Sequence, residues 1–406
     1  MMKTLIHNCH LLDVEQKKMF EHAQVVIEDG VIRQISEAAT QKVPMNAVDE
    51  VIDCEGKYLV PGLINLHVHI QRRHLHKPGK GVFRQGAAIL ENSSDMRRMV
   101  FALRNGLDEL RHGVTTIRDC SSKARLNNEY RDCVKDRLLE GPAVVSCGLG
   151  IAGTGGHETH RYPGAVQADG PDEVRKAVRE EIRQGADFIK FMGSGGLGGL
   201  PEHEHPYWVE LSFEELQVGI AEAHNRMKTC TVHAMGERSV DIAIRAGMDG
   251  IEHGTNLNDK LIDAMLERQV YYIPTMSGIA AVAQREFDNG SKDLAAFIRK
   301  LVVDPQHESV ALAHRKGVLI GAGTDTLGDL ITELSMFVEC GMTPMEALMS
   351  ATINAARILG KQETIGSITV GKQADLVLVA NNPLESVEHL RSIAWVMKGG
   401  TLVSQA

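Results

Sequence analysis

Between residues 59 and 359 the chain alternates short apolar runs with longer stretches in which apolar residues recur every three or four positions. The runs 59–70 (LVPGLINLHVHI), 113–120 (GVTTIRDC), 143–153, 187–193 (DFIKFMG), 229–236 (TCTVHAMG), 250–254 (GIEHG), 270–276 and 318–325 (VLIGAGTD) read as β-strands. Residues 172–185 and 212–227, between them, read as amphipathic helices. The first follows Pro171 and is acidic in its first turn. The second opens on Ser212-x-x-Glu215, a capping box that satisfies helix-terminal N–H groups. Strand-then-helix units repeated over some 300 residues predict an α/β fold, a closed (β/α)8 TIM barrel. A doubly wound open sheet would want a GxGxxG turn after an early strand, and the sequence has none.

The two ends follow a different pattern. Residues 4–13, 23–36 and 47–62 at one end, and 367–383 and 393–406 at the other, are β-branched runs broken by turn residues such as Asp29-Gly30. They predict a small β-sandwich domain built from both termini, with residues 1–58 and 360–406 flanking a barrel of residues 59–359. Residues 71–100 read as a loop and a helix after the first barrel strand. Gly193 to Gly199, running on into PEHEHPYW, reads as a mobile loop at the site.

Composition narrows the class. The 406 residues are 43% apolar and 24% charged, with a net charge of −9 and no block of five basic residues, which argues against nucleic-acid or anionic-membrane partners. The apolar stretch at the start is interrupted by His7, Asn8, Cys9 and His10, and no run of eighteen apolar residues occurs, so neither a signal core nor a membrane span is expected. Seven scattered cysteines without a CxxC pair fit reduced thiols and a cytoplasmic setting.

Eighteen histidines change the picture more. His67 and His69, two residues apart on the first strand, share a face, and in a barrel that face is the interior at the C-terminal mouth. Such a pair alone is weak, as His74/His76 and His203/His205 in polar stretches show. His157-Glu158-Thr159-His160 is one residue short of the HExxH zinc-protease spacing. The signal lies in recurrence: Lys190, His233, His253 and Asp325 close later strands, so ligand-type residues end strands one, four, five, six and eight. Taken singly, each has a bland reading, with Lys190 snorkelling or Asp325 capping a helix. Arg118-Asp119 reads as a structural pair. Ser194, Gly195 and Gly196 are candidates for close backbone approach or for a hinge, and His160, Arg161 and Tyr207 for reading a substrate carboxylate.

The ordered set PGLINLHVH, GVTTIRD, GADFIK, VHA, IEHG and GTD resembles the amidohydrolase superfamily over essentially the whole chain. GTGGH, GADFIKFMGSGG and GMTPMEALMSATINAARILG are similar to its prolidase-like, imidazolonepropionase-related branch, which includes dipeptidases acting on Xaa-Pro and Xaa-Arg or Xaa-Lys. The resemblance implies two divalent metal ions, zinc by preference. His67, His69 and Asp325 would hold the more buried ion and His233 and His253 the more exposed one, with Lys190 N-carboxylated and bridging. It further implies a metal-bridging hydroxide as nucleophile and Asp325 as general base and then acid; His157, in the loop after strand three, is a candidate for stabilising the oxyanion or for a structural hydrogen bond. The expected substrate is a dipeptide or N-acyl amino acid, and the expected assembly a homo-oligomer.

Cyclic-amide and carbamate or urea hydrolases share this ligand set and stay open as alternatives. Deamination is disfavoured, because Lys190 is present and Glu237 lies four rather than three residues after His233. A non-catalytic binding protein on the same scaffold would be expected to lack ligands, and none is missing. Met235, standing where relatives often carry a second histidine, and the loop from Glu202 to His205 depart from the branch where substrate would be read.

Overall fold

The computed structural model describes residues 2–37, 44, 47–72, 92–160, 163–198 and 204–403. His74, His76, Arg161, Gly199, Glu202 and His203 lie outside them. Eight strands from the two chain ends hydrogen-bond into one mixed sheet: Lys3–Asp13, Lys18–Glu28, Val31–Glu37, Glu50–Asp53, Tyr58–Pro61, Leu376–Val379, Ile393–Lys398 and Thr401–Leu402. Tyr58–Pro61 knits the ends together, pairing parallel with Lys3–Asp13 and antiparallel with Leu376–Val379. Glu28 pairs with Val31, so Asp29 and Gly30 form a two-residue turn. Both take positive φ, 50° and 79°, as the turn that matches strand twist requires. One face closes over its own core, which includes Ile6, Leu11, Val25, Ile32, Leu59, Leu376 and Met397.

The middle of the chain is a (β/α)8 barrel. Leu63–Val68, Val114–Asp119 and Ala143–Ser146 pair in parallel. The third position is split, with Gly150–Ala152 as its second piece, which pairs in parallel with the fourth strand, Ile189–Met192; Cys230–Ala234, Gly250–His253 and Tyr271–Ile273 follow in parallel as the fifth to seventh. The eighth position is a single parallel bridge, Tyr272 to Ile320. Closure onto the first strand follows directly, with Leu66 N–H donating to Ala322 O (2.9 Å) and Thr324 N–H to His67 O (3.0 Å). Every residue of the first, second, fourth, fifth, sixth and seventh strands is buried, as expected of parallel strands covered on both faces.

The helices form where the spacing predicts them. Gly170–Arg183 has Pro171 in its first turn with Asp172 and Glu173. Phe213–His224 is capped by Ser212, with the reciprocal Glu215 contact in place. Asp95–Arg111, capped by Ser94, is the helix after the first strand. Met276–Asp288 follows the seventh strand and reaches over the C-terminal mouth, where it lines a cleft. Among the described residues no helix is long and apolar enough to cross a membrane.

Candidate active site

The strand-end residues converge. His67 and His69 are buried, with ring centres 5.3 Å apart. The His253 ring lies 5.0 Å from His67 and 4.5 Å from His233. Asp325 Oδ1 is 3.5 Å from His69 Nε2. Lys190, almost fully buried, contacts Glu252 at the barrel centre. All six line one cleft with His157.

Outer hydrogen bonds fix which ring nitrogen faces inward. His69 Nδ1 is 3.0 Å from Ser121 O, so it carries the proton and leaves the Nε2 lone pair toward Asp325. The Thr275 hydroxyl donates to Pro274 O (2.6 Å), so it accepts from His253 Nδ1 (2.6 Å) and the Nε2 of that ring is left bare. His233 donates from Nε2 to Gly195 O (3.0 Å), which frees Nδ1. Burial lowers the pKa of His69 to about 4 and pushes those of His233 and His253 well below the usual imidazole value. For Asp325, burial opposes ionisation but His67 and His69 outweigh it and bring the carboxyl to about 2. His67 Nδ1 is buried without an aligned hydrogen bond. Neutral imidazoles with oriented lone pairs, beside an ionised carboxylate, are the donor set a divalent cation takes. The residues present therefore fit a metal ion.

Three of these positions depend on backbone that leaves the strand conformation. His253, Thr275 and Asp325 have φ of 72°, 57° and 56°. Left-handed non-glycine residues store strain and are held in place by their surroundings. At His253 the bend has a visible result. Adjacent strand residues normally point to opposite faces, yet Glu252 and His253 both reach the interior.

Glu252 is the residue that sequence reasoning missed. It is fully buried and bonds Arg118 Nη2 (2.6 Å), Thr231 Oγ1 (2.9 Å) and Lys190, while Oε2 approaches His67 Nδ1 to 2.6 Å. Burial alone would raise its pKa, but His67, Lys190 and Arg118 hold it well below the usual range. Alternation along Gly250–His253 gave no signal for it, because it assigns Glu252 to the face opposite His253. The expected Arg118–Asp119 pair does not exist. Arg118 bonds Glu252, Leu66 O and Tyr271, whereas Asp119 accepts from Ile70 N, Ser121 N and Asn127. The alternation that separates neighbouring side chains sends the two to opposite sides of the strand.

Among the described residues, donor atoms fall within 4.8 Å of one another in three groups. His67, His69 and Asp325 form one, and His67, Cys120 and Glu252 overlap it. The third, His224, Cys230 and Asp249, lies where the fifth and sixth strands begin. There Asp249 accepts from His224 (2.9 Å) and from Cys230 N (2.6 Å).

The polar lining of the cleft is paired. Arg72 donates two hydrogen bonds to Glu158, one of 2.6 Å. His157 Nδ1 is 3.3 Å from Glu204 and its ring stacks on His233 with centres 4.2 Å apart. Burial would lower the His157 pKa, but Glu204 outweighs it and raises the ring to about 9. A Cβ on Gly196 would sit 2.3 Å from His157 Cε1, so only glycine permits this approach. His160 lines the cleft and meets Gly155 O (2.9 Å). Tyr207 uses its hydroxyl on Leu301 O and the Asn256 amide instead. His205 lies near the aromatic rings of Tyr207 and Trp208.

Comparison with known proteins gives the same picture. The amidohydrolase family pattern matches residues 58–403. Ochratoxinase of Aspergillus niger is 30% identical over 411 residues, spanning 94% of this chain and 82% of that protein. The crystal structure of a Xaa-Pro dipeptidase with methionine bound in its active site superposes with a TM-score of 0.88 at 29% identity, covering 99% of this chain and 100% of that one. A prolidase complexed with N-methylphosphonate-L-proline superposes with the same TM-score at 27% identity, covering all of both chains. The chain belongs to the amidohydrolase family and is a metal-dependent hydrolase acting on C–N bonds.

Proposed function

We propose that the cleft hydrolyses the amide bond of a dipeptide or N-acyl amino acid, using two divalent metal ions, zinc by preference. His67, His69 and Asp325 would hold one, His233 and His253 the other, with Lys190 N-carboxylated between them. The observation that carries this reading is the convergence of three neutral imidazoles, His69, His233 and His253, each with its outer nitrogen tied down, on the cleft that holds His67 and an ionised Asp325. Bound there, the ions would supply an activated water and polarise the scissile carbonyl.

The chain's own groups do the rest. Asp325 accepts the proton of the attacking water at a carboxylate oxygen and returns it to the leaving nitrogen. His157, held protonated by Glu204, donates a hydrogen bond to the carbonyl oxygen as charge develops there. Glu252 keeps His67 and the Lys190 side chain in register from beneath. The ligands named for the relatives, methionine and an N-methylphosphonate of L-proline, are an amino acid and an amino-acid derivative, in line with this substrate class.

The test is amine release from a mixed library of dipeptides and N-acyl amino acids. Release by the zinc-loaded enzyme that a chelator abolishes is expected. Release that survives chelation, or hydrolysis confined to a parallel panel of cyclic amides, carbamates and ureas, would overturn the reading.

A further inference from the structure

Beside the paired charges the cleft has a largely apolar wall. Leu197, Met235, Ile279 and Val282 line it and belong to one packed cluster, backed by Ile298, Val302 and Val303. Met192 and Leu327 line the same cleft. Met192, Met235 and Ile279 are almost fully buried, so they are part of the wall rather than loose side chains over it. The carboxylates lining the cleft are spoken for: Glu158 holds Arg72, Glu204 holds His157, and Asp325 faces the histidines. Arg285, which also lines the cleft, comes from the same helix as Ile279 and Val282 and gives Nε and Nη2 to Glu286.

We infer that this wall is a subsite for a large apolar side chain, aliphatic or aromatic, on the amino acid next to the scissile amide. The inference rests on the amide-hydrolase reading and names the substrate class within it. A lysine or arginine side chain entering there would lose its water and meet no carboxylate free to replace it. An apolar side chain loses nothing polar and gains contact along the wall. Two methionines make that contact adaptable, because an unbranched thioether adjusts its rotamers to differently shaped partners. Met235 therefore has a use of its own: a second histidine at that position would put a polar ring into the apolar patch. The subsite selects against Xaa-Lys and Xaa-Arg.

The experiment measures kcat/KM on two series, N-acetyl-L-Xaa and L-Xaa-Gly, with Xaa as Phe, Leu, Gly, Lys and Glu. Binding of N-acetyl-L-phenylalanine and N-acetyl-L-lysine is measured in parallel by calorimetry. Phe or Leu should exceed Gly, Lys and Glu by roughly 100-fold in at least one series, the scale of discrimination that an apolar pocket provides. Val282→Asp, on a half-buried position, should reverse the order of Phe and Lys, with folding checked by thermal melting. Turnover that favours Gly or a charged side chain overturns the subsite and leaves the amide reading standing. Absent turnover with selective binding of N-acetyl-L-phenylalanine keeps the subsite and overturns the amide reading. Absence of both overturns both.

Discussion

Nδ1 of His67 lies 2.6 Å from Oε2 of Glu252, a carboxylate with no exposure to solvent. Glu252 also anchors Arg118, Thr231 and Lys190, so one buried group ties the first, second, fourth, fifth and sixth strands together. Replacing it by the isosteric amide leaves the Arg118 guanidinium buried without its counter-charge. Glu252→Gln should cost about 3–5 kcal/mol of stability, and weaken metal binding about 10–100-fold by loosening His67 and Lys190. Denaturant unfolding and elemental analysis check this; wild-type values for both would show that the carboxylate is dispensable.

Lys190 has a separate test. Chelation should abolish activity, and zinc with bicarbonate should restore it in the wild type but not in Lys190→Ala. A 13C signal from labelled bicarbonate that tracks metal content should be present only when Lys190 is. Full metal occupancy and activity in Lys190→Ala would remove the lysine from the centre.

Asp325 combines an ionised carboxyl with a φ of 56°. Asparagine tolerates that backbone, so Asp325→Asn removes the carboxylate without backbone strain, and elemental analysis separates loss of the base from loss of metal. The rate should fall at least about 100-fold, while the melting temperature stays near wild type. A normal kcat in this variant would exclude Asp325 as the proton carrier.

For His157, the expected consequence of His157→Asn is a fall in kcat of about 100-fold with KM little changed, as for a lost oxyanion donor. An unchanged kcat would leave the ring a structural partner of Glu204 and His233.

Away from the cleft, Asp329 caps the helix Leu330–Glu339 and pairs with Arg391 of the C-terminal segment. Burial opposes its ionisation, but the Arg391 hydrogen bond outweighs this and brings the carboxyl to about 2. An aspartate pKa in the unfolded chain is about 3.9. The folded value is depressed, so the stabilisation is complete above that value and disappears as pH falls through about 2. The melting temperature of wild type should exceed that of Asp329→Asn at pH 6, and the gap should close below pH 2. A gap that is constant with pH would mean that the charge contributes nothing.

The barrel, its helix caps and six converging residues were legible in the sequence because each rests on a local regularity. Strand ends carrying His67, His233 or Asp325 follow from apolar runs, and the Ser212/Glu215 cap follows from spacing. Glu252 was not legible for a physical reason. Period-two alternation allows only one of two neighbours inside, and the left-handed turn at His253 that admits both leaves no mark in the sequence. The false Arg118–Asp119 pair has the same origin, since adjacency along a strand means opposite faces. The apolar wall also escaped notice, because Leu197, Met235, Ile279 and Val282 come from three segments that meet only in the closed barrel.

Ring closure has a consequence for the order of events during synthesis. The Asn65 amide donates to the Thr324 hydroxyl across 259 residues of chain, and Asp325 N–H donates to His67 O (2.8 Å). The donors proposed for a single ion, His67, His69 and Asp325, are thus among the earliest and the latest barrel residues to leave the ribosome. A nascent or truncated chain can offer His67 and His69 but not the carboxylate that completes the set. On that assignment, tight capture of metal would be reserved for a finished, closed barrel, and retained metal would be a signature of the fully folded enzyme.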